Sequence, residues 1–315
     1  MTLLNVCFIG IGSIAKRHIK NLHAVCNRRN ISLHIDAVRQ SSNLERTDEV
    51  PEFRKIYTDY SAIDTEYDVV FITNPTEYHL GSLKKMMPWG RHFFIEKPVV
   101  SIHQIEDMES LQLNDSAVYY VACPLRYHAV IQYIKNNIDF SKVLSVRSIS
   151  SSYLPDWRPD TDYRKTYSAD KKLGGGVAID LIHEWDYLVF LAGMPQKISC
   201  MSGRKSNLEI NSEDYAIYIA EYSNKIIELH LDYFGRKTIR EIMLITENDT
   251  IRGDLINQQI EFMKTGKTIA FSENRDVYQI RELLHFLDMI EGKATVENDI
   301  NHALKILKLT QGELE

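Results

Sequence analysis

The spacing of hydrophobic positions changes rhythm partway along the chain. Up to residue 123, short apolar runs alternate with segments whose apolar residues recur at helical spacing. "NVCFIG" (5–10) reads as a buried strand, and "SIAKRHIKNLHAVC" follows with Ile14, Ile19, Leu22 and Cys26 near a helical period. "LHIDAV" (33–38), "YDVVFIT" (67–73) and "RHFFIEKP" (91–98) read as further strands, with "EYHLGSLKKMMPWG" (77–90) as a helix between the last two. "AVYYVAC" (117–123) closes this part. Nearly continuous apolar strands alternating with helices predict a parallel sheet covered on both faces.

Beyond residue 123 the pattern is different. "RYHAVIQYIKNNI" (126–138) predicts a helix, and "KVLSVRSISSSYL" (142–154) a long, partly alternating strand. A polar loop (155–172) then leads into three glycines and a helix expected from Val177 to Ala192. Strand patterns follow at 197–205, 214–223, 225–235, 238–248 and 249–255, with Ser223 and Asn224 at a hairpin tip. Two helical patterns, 277–292 and 298–312, finish the chain. Consecutive strands without intervening helices predict an antiparallel sheet. The expected fold class is therefore α/β, with a doubly wound parallel sheet in residues 1–123. A second α/β domain, with an open and mostly antiparallel sheet, is expected in 124–315.

Composition narrows the function classes. The 315 residues are 44% apolar and 25% charged, and the formal net charge is −6. Nucleic-acid binding needs a basic surface, and no Lys/Arg block supplies one locally. Cys7, Cys26, Cys123 and Cys200 lie far apart with no C-x-x-C pair, which argues against a zinc site or disulfide framework and fits a reducing cytoplasm. The N-terminal "MTLLNVCFIGIG" lacks the basic start and cleavage site of a signal peptide. No apolar run approaches the roughly 20 residues of a membrane helix. The expectation is a cytoplasmic protein with no nucleic-acid or membrane partner.

The first chemistry-bearing motif is "FIGIGSIA". Gly10 and Gly12 follow the first strand directly, and Ser13 and Ile14 open the helix. In a G-x-G-x-x-G turn the first glycine allows the bend and the second admits a pyrophosphate onto exposed helix N–H groups. Ala15 in the third position is small enough for close helix–sheet packing. The context, after the first strand and before the first helix, makes this a dinucleotide-binding Rossmann signature. At the end of the second strand an acidic residue would select NAD, but Arg39 stands there, followed by Ser41, Ser42 and Asn43. Arginine suits a 2′-phosphate, which favours NADP over NAD. Asp36 is the competing candidate, although it lies inside the strand pattern.

Three more segments complete a set: "ITNPTEYH" (72–79), "EKP" (96–98) and "GGGVAIDLIHEWD" (174–186). Together with "GIGSIAKRH" they resemble the glucose–fructose oxidoreductase/inositol dehydrogenase/rhizopine-catabolism (Gfo/Idh/MocA) family over essentially the whole chain. The resemblance implies an N-terminal Rossmann domain and a C-terminal sheet that commonly forms subunit contacts, hence a homodimer or homotetramer. It implies hydride transfer between NAD(P) and a secondary alcohol or carbonyl of a sugar, cyclitol or sugar acid. By motif, Gly10, Gly12 and Ala15 would hold the pyrophosphate, and Asn74, Pro75 and His79 would line the dinucleotide. Glu96 and Lys97 would meet its nicotinamide ribose and the substrate, with Lys97–Pro98 often cis in relatives.

Oxidising an alcohol leaves a hydroxyl proton that some group must take near neutral pH. Lys97 is the candidate acid or electrostatic stabiliser, and His183 the candidate shuttle because imidazole titrates near neutrality. Asp180, three residues before His183 and four before Glu184, shares a helix face with both. The triple glycine is read as letting the backbone approach a ligand. One departure stands out: relatives most often place three residues between the Asp and the His, and here only two intervene. Glu184 therefore occupies the usual histidine slot by count, while His183 keeps the downstream spacing to Asp186. The bland alternative is an amphipathic helix with a solvated polar face.

In the substrate region, Trp157, Tyr163 and Tyr167 are candidates to stack on a sugar ring. Arg126, Arg158 and Arg164 are candidates to grip a carboxylate or phosphate. Against this, Asp156, Asp160 and Asp162 balance Arg158, Arg164 and Lys165, as in a self-paired surface loop. No metal is expected, since "HEWDY" lacks the second histidine of H-E-x-x-H. Two other readings share the resemblance: an NAD-dependent glycoside hydrolase and a non-catalytic dinucleotide-binding regulator.

Overall fold

The computed structural model describes residues 2–39 and 53–314, and it divides into two compact units. The first comprises Met1–Ala122 together with Gln279–Leu304; the second comprises Cys123–Tyr278 and Lys305–Glu315. A single cut at residue 123 therefore misses one feature. The segment carrying most of the penultimate helix belongs with the first unit, not the second.

Among the described residues, the first unit contains β1 (Leu3–Ile9), α1 (Ser13–Arg29), β2 (Ser32–Val38), β3 (Lys55–Tyr57) and β4 (Tyr67–Ile72). These are followed by α2 (His79–Met86), β5 (Gly90–Ile95), α3 (Ile105–Glu109) and β6 (Tyr119–Val121). The strands form one sheet in the order β3-β2-β1-β4-β5-β6, every pairing parallel. This order reverses direction between β1 and β4, where open α/β sheets bind ligands outside the carboxyl ends of their strands. The apolar runs are strands because both faces are covered: Phe8, Phe71 and Phe94 stack across β1, β4 and β5 at 4.5 and 4.9 Å between centroids. Phe286, from the returning segment, meets Phe94 edge-on at 5.3 Å. Helix α1 carries Arg28 and Arg29 in its last turn, which suits the dipole, and ends on Asn30 in a left-handed conformation.

The second unit begins with α4 (Ala129–Asn137), β7 (Val143–Tyr153), α5 (Val177–Asp180) and α6 (Ile182–Ala192). Strands β8 (Lys197–Gly203), β9 (Tyr215–Glu221), β10 (Ile226–Asp232) and β11 (Phe234–Thr246) follow. Next come β12 (Thr250–Asp254), β13 (Gln259–Phe262) and β14 (Lys267–Ala270). The chain ends with α7 (Arg275–Ile290) and α8 (Ile300–Leu309), each of which crosses a unit boundary. Strand order is β14-β13-β12-β11-β7-β10-β9-β8, antiparallel except between β10 and β7. Tyr218, Leu229 and Ile242 on one face are fully buried, and α5 packs against β9 and β10. On the other face Met201 and Ile219 are exposed.

The helix expected from Val177 to Ala192 is broken. Leu181, at φ −99° and ψ 23°, separates α5 from α6, so Asp180 and His183 stand on different helices. The simple i, i+3 geometry used for this pair does not hold.

Candidate functional site

In the first unit, the contacts at Gly10 of the glycine turn leave no room for a larger residue. Gly10 has φ +88°, and a Cβ there would lie 2.8 Å from the Asn74 Cα. Its N–H donates to the Val38 carbonyl at 3.0 Å, tying the turn to the end of β2. Thr73 Oγ1 donates to the carbonyls of Ile9 and Gly10 at 3.0 Å, which locks the ends of β1 and β4 together. Gly12 serves as the N-cap of α1 without a side-chain cap, and a Cβ there would meet nothing within 4 Å. No acidic residue sits in the first turn of α1, where Ser13 and Ile14 begin the helix. An anion approaching these N–H groups meets open space and a favourable helix dipole. Asn74 Oδ1 is also buried without a hydrogen-bond partner. The glycine turn and the helix N-terminus fit the pyrophosphate of a dinucleotide, whereas the Asn74 acceptor fits a hydroxyl donor and not an anion.

Asn74 Nδ2 donates to Ser82 Oγ at 2.8 Å, and Pro75 precedes the turn into α2. His79 is placed differently from the sequence expectation. It is 1% exposed, with Nε2 2.9 Å from the Asn74 carbonyl and Nδ1 3.2 Å from the Val99 carbonyl. Its ring braces the Asn74 loop from beneath rather than lining an open surface. Burial also lowers its basicity, against weaker opposing effects of the carbonyls.

Glu96 and Lys97 follow β5, and the Lys97–Pro98 bond is cis. Glu96 Oε1 lies 2.5 Å from His18 Nε2, and Glu96 Oε2 accepts the Lys97 N–H at 3.2 Å. Burial alone would raise the Glu96 carboxyl, but His18 and Lys97 outweigh it and hold the group below its ordinary value. His18 went unassigned at the level of sequence although it closes the "GIGSIAKRH" motif. Its partner lies 78 residues away, so only the fold reveals the pair.

At the end of β2, Asp36 is spent internally. Arg54 grips both carboxylate oxygens at 3.0 and 2.6 Å, and Tyr67 Oη donates to one at 2.9 Å. Asp36 is thus held by Arg54 and Tyr67, and Arg39 is the residue that follows the strand. Ser41, with Ser42 and Asn43, lies outside the described residues.

In the second unit, Asp180 is 4% exposed and accepts the Tyr233 hydroxyl at 2.5 Å. Trp157 packs edge-on against Tyr233 at 5.3 Å and donates its Nε1 to Ser152 Oγ at 2.8 Å. Arg158 sits over the Tyr167 ring at 5.8 Å, and Tyr167 lies beside the same Asp180 carboxylate. His183 remains partly exposed, with its Nε2 2.9 Å from Arg240 Nη2. Glu184 is fully buried, and its Oε1 lies 2.8 Å from Arg240 Nε. Neither of those two atoms meets hydrogen-bond geometry, so the contact is an ion pair rather than an aligned hydrogen bond. Burial raises the Glu184 carboxyl, with the Arg240 charge opposing. Of the two residues competing for the histidine slot, His183 is the one that reaches the surface.

Several sequence expectations are corrected here. Arg126 is not presented to a ligand: it is 4% exposed, and its guanidinium grips Asp186 at 2.8 and 2.7 Å. Arg164 pairs with Asp162 at 2.9 and 3.0 Å and with Glu209 at 3.3 Å, as a self-paired loop would. Tyr163 Oη accepts the Glu209 N–H at 3.2 Å. The triple glycine serves the protein's own backbone. A Cβ on Gly175 would collide with the Tyr167 carbonyl, and Gly176, at φ +135°, lies against the Glu213 carboxylate. Tyr233, Arg240 and Glu213 carried no local signal: Arg240 is a residue of β11 like any other, and Tyr233 and Glu213 lie in the connections beside β10 and β9.

Among the described residues, no group of three or more His, Cys, Asp or Glu side chains is placed to hold a metal. No helix among them is long and apolar enough to cross a membrane.

Comparison with known proteins agrees with this fold. Residues 4–123 match the model of an oxidoreductase family with an NAD-binding Rossmann fold, and residues 131–238 match the GFO/IDH/MocA C-terminal domain. An uncharacterized oxidoreductase, YrbE, of Bacillus subtilis is 23% identical over 191 residues, covering 59% of this chain and 52% of that protein. D-xylose dehydrogenase of Paenarthrobacter nicotinovorans is 22% identical over 181 residues, covering 55% and 46%. The chain thus spans about half the length of the curated relatives it matches. The solved structure of levoglucosan dehydrogenase in complex with NADH superposes with a TM-score of 0.83, at 16% identity over 99% of this chain and 96% of that one. That likeness is one of fold.

Proposed function

The chain belongs to the Gfo/Idh/MocA oxidoreductase family, and from that premise we propose that it transfers a hydride between a nicotinamide dinucleotide and a secondary alcohol or carbonyl of a sugar, cyclitol or sugar acid. The observation that carries the reading is the turn at Gly10–Gly12, with Lys97 held past the end of β5, a parallel strand of the same sheet. Relatives named as D-xylose and levoglucosan dehydrogenases support a sugar-like substrate. When bound, the dinucleotide supplies or accepts the hydride. The protein's own part is to hold it and to manage the proton. Gly10, Gly12 and the first N–H groups of α1 seat the pyrophosphate. His18 fixes Glu96, and Glu96 fixes the Lys97 backbone, so that the Lys97 amine is positioned as acid or base. Asp180, steadied by Tyr233, and His183 hydrogen-bond the substrate hydroxyls, with Trp157 and Arg158 beside them. Arg39 favours NADP by pairing with its 2′-phosphate.

The protein is further assigned to the cytoplasm as a homodimer or homotetramer formed through the second unit's sheet. Exposed Met201 and Ile219 on the open face support that assembly. The function is tested by screening NAD and NADP against sugars, cyclitols, sugar acids and nucleotide sugars for nicotinamide reduction. Accumulating reduced cofactor with one of these classes is the expected result. Glycoside cleavage without accumulation would replace this reading with the hydrolase, and dinucleotide binding without any turnover would replace it with the regulator.

A further inference from the structure

We propose that Arg240 is a positioning residue that fixes the tautomer of His183, closing Nε2 and leaving the ring proton on Nδ1. A guanidinium has five N–H donors and no acceptor. With Arg240 Nη2 2.9 Å from His183 Nε2, the imidazole nitrogen can only accept. A proton on Nε2 would oppose hydrogen to hydrogen, and an imidazolium would set two cations against each other. The arrangement is anchored from behind. Fully buried Glu184 lies 2.8 Å from Arg240 Nε and 3.5 Å from His183 Nε2, and its carboxylate keeps the guanidinium in place. Arg240 itself is launched from β11, paired with Ser150 of β7, and its carbonyl accepts the Leu255 N–H at 2.9 Å.

This gives a physical meaning to the shortened Asp–His spacing. The residue that falls in the usual histidine slot, Glu184, turns inward and recruits the arginine that orients the histidine. The inference rests on the oxidoreductase reading for its consequence alone. His183 then holds its ring proton on Nδ1 as a hydrogen-bond donor and keeps it, rather than taking the hydroxyl proton.

The test is side-chain ¹⁵N NMR of the full-length protein labelled at histidine, at neutral pH, with His183 assigned by the signals lost in His183→Asn. The expected pattern is a protonated Nδ1 and a bare Nε2. In the double variant Arg240→Met/Glu184→Gln, which leaves no buried charge alone, the pattern shifts toward Nε2–H. A wild-type ring protonated at Nε2 overturns the proposal, as does a folded double variant with an unchanged pattern. If the double variant does not fold, the wild-type spectrum decides alone. Neither readout uses turnover. A protein that oxidises no sugar would therefore sink the proposed function while leaving the tautomer assignment standing.

Discussion

Arg126 and Arg164 read alike in the sequence, as cations near a candidate substrate loop, but burial separates them. The Arg126–Asp186 pair is bidentate and enclosed, so Asp186→Asn takes the paired carboxylate charge away from a buried guanidinium. Its unfolding free energy in urea should fall by about 3–5 kcal/mol. Arg164→Ala, at an exposed pair, should leave the urea midpoint unchanged. The His18–Glu96 pair makes a pH prediction. Glu96 is held below its ordinary value, so its contribution is present above the unfolded value of about 4.3 and is lost as pH falls through the folded one. Wild type should therefore lose more stability than His18→Gln between about pH 5 and pH 3. Parallel curves in urea melts across that range would show that the pair contributes nothing. The Arg126–Asp186 and His18–Glu96 partnerships were not legible beforehand, because each joins residues distant in sequence and depends on which side chain the fold encloses; the Arg164–Asp162 pair, two residues apart, was legible as a self-paired loop.

Helices and strands with strong periodicity were legible, and elements with weak or mixed patterns were not. Strands β1, β2, β4 and β5 lie where apolar runs place them, since a doubly covered strand needs apolar residues at nearly every position. The short β3, β13 and β14 carry too few apolar residues to announce themselves. The break at Leu181 is invisible to a periodicity argument, because "VAIDLIHEW" is good helical sequence on both sides. The Gly10–Gly12 turn was legible in position and type, and its two glycines should now separate by experiment. Gly10→Ala meets Asn74 and strains a positive φ, so it should cost about 1–3 kcal/mol in thermal or urea unfolding. Gly12→Ala has open space around it and should change stability by no more than about 1 kcal/mol. It should nevertheless weaken dinucleotide binding about tenfold or more by titration calorimetry, since the added methyl occupies the pyrophosphate's approach. Arg39→Asp tests the cofactor at the neighbouring strand end: the ratio of activity with NADP to that with NAD should fall.

For the whole molecule, the two-part organisation follows from the change in hydrophobic rhythm near residue 123. The return of Gln279–Leu304 to the first unit does not. A helix shows its apolar face in sequence but not the sheet that face will cover; Leu283, Phe286 and Leu287 of α7 could have served either unit by pattern alone. The open face of the second sheet makes a prediction at this scale. The double substitution Met201→Lys/Ile219→Lys should shift the protein toward monomer in sedimentation analysis, and an unshifted wild-type monomer would refute assembly through that face. The central claim is that this family member turns over a dinucleotide on a sugar-like alcohol with Lys97 at the proton. The most direct measurement is a time course of reduced nicotinamide and oxidised product, for wild type and Lys97→Ala, with the best compound from the substrate screen. Equal, steadily accumulating amounts of both in wild type, abolished in Lys97→Ala while dinucleotide binding persists, are predicted. Turnover left intact by Lys97→Ala, or product formed without accumulating reduced cofactor, would contradict it.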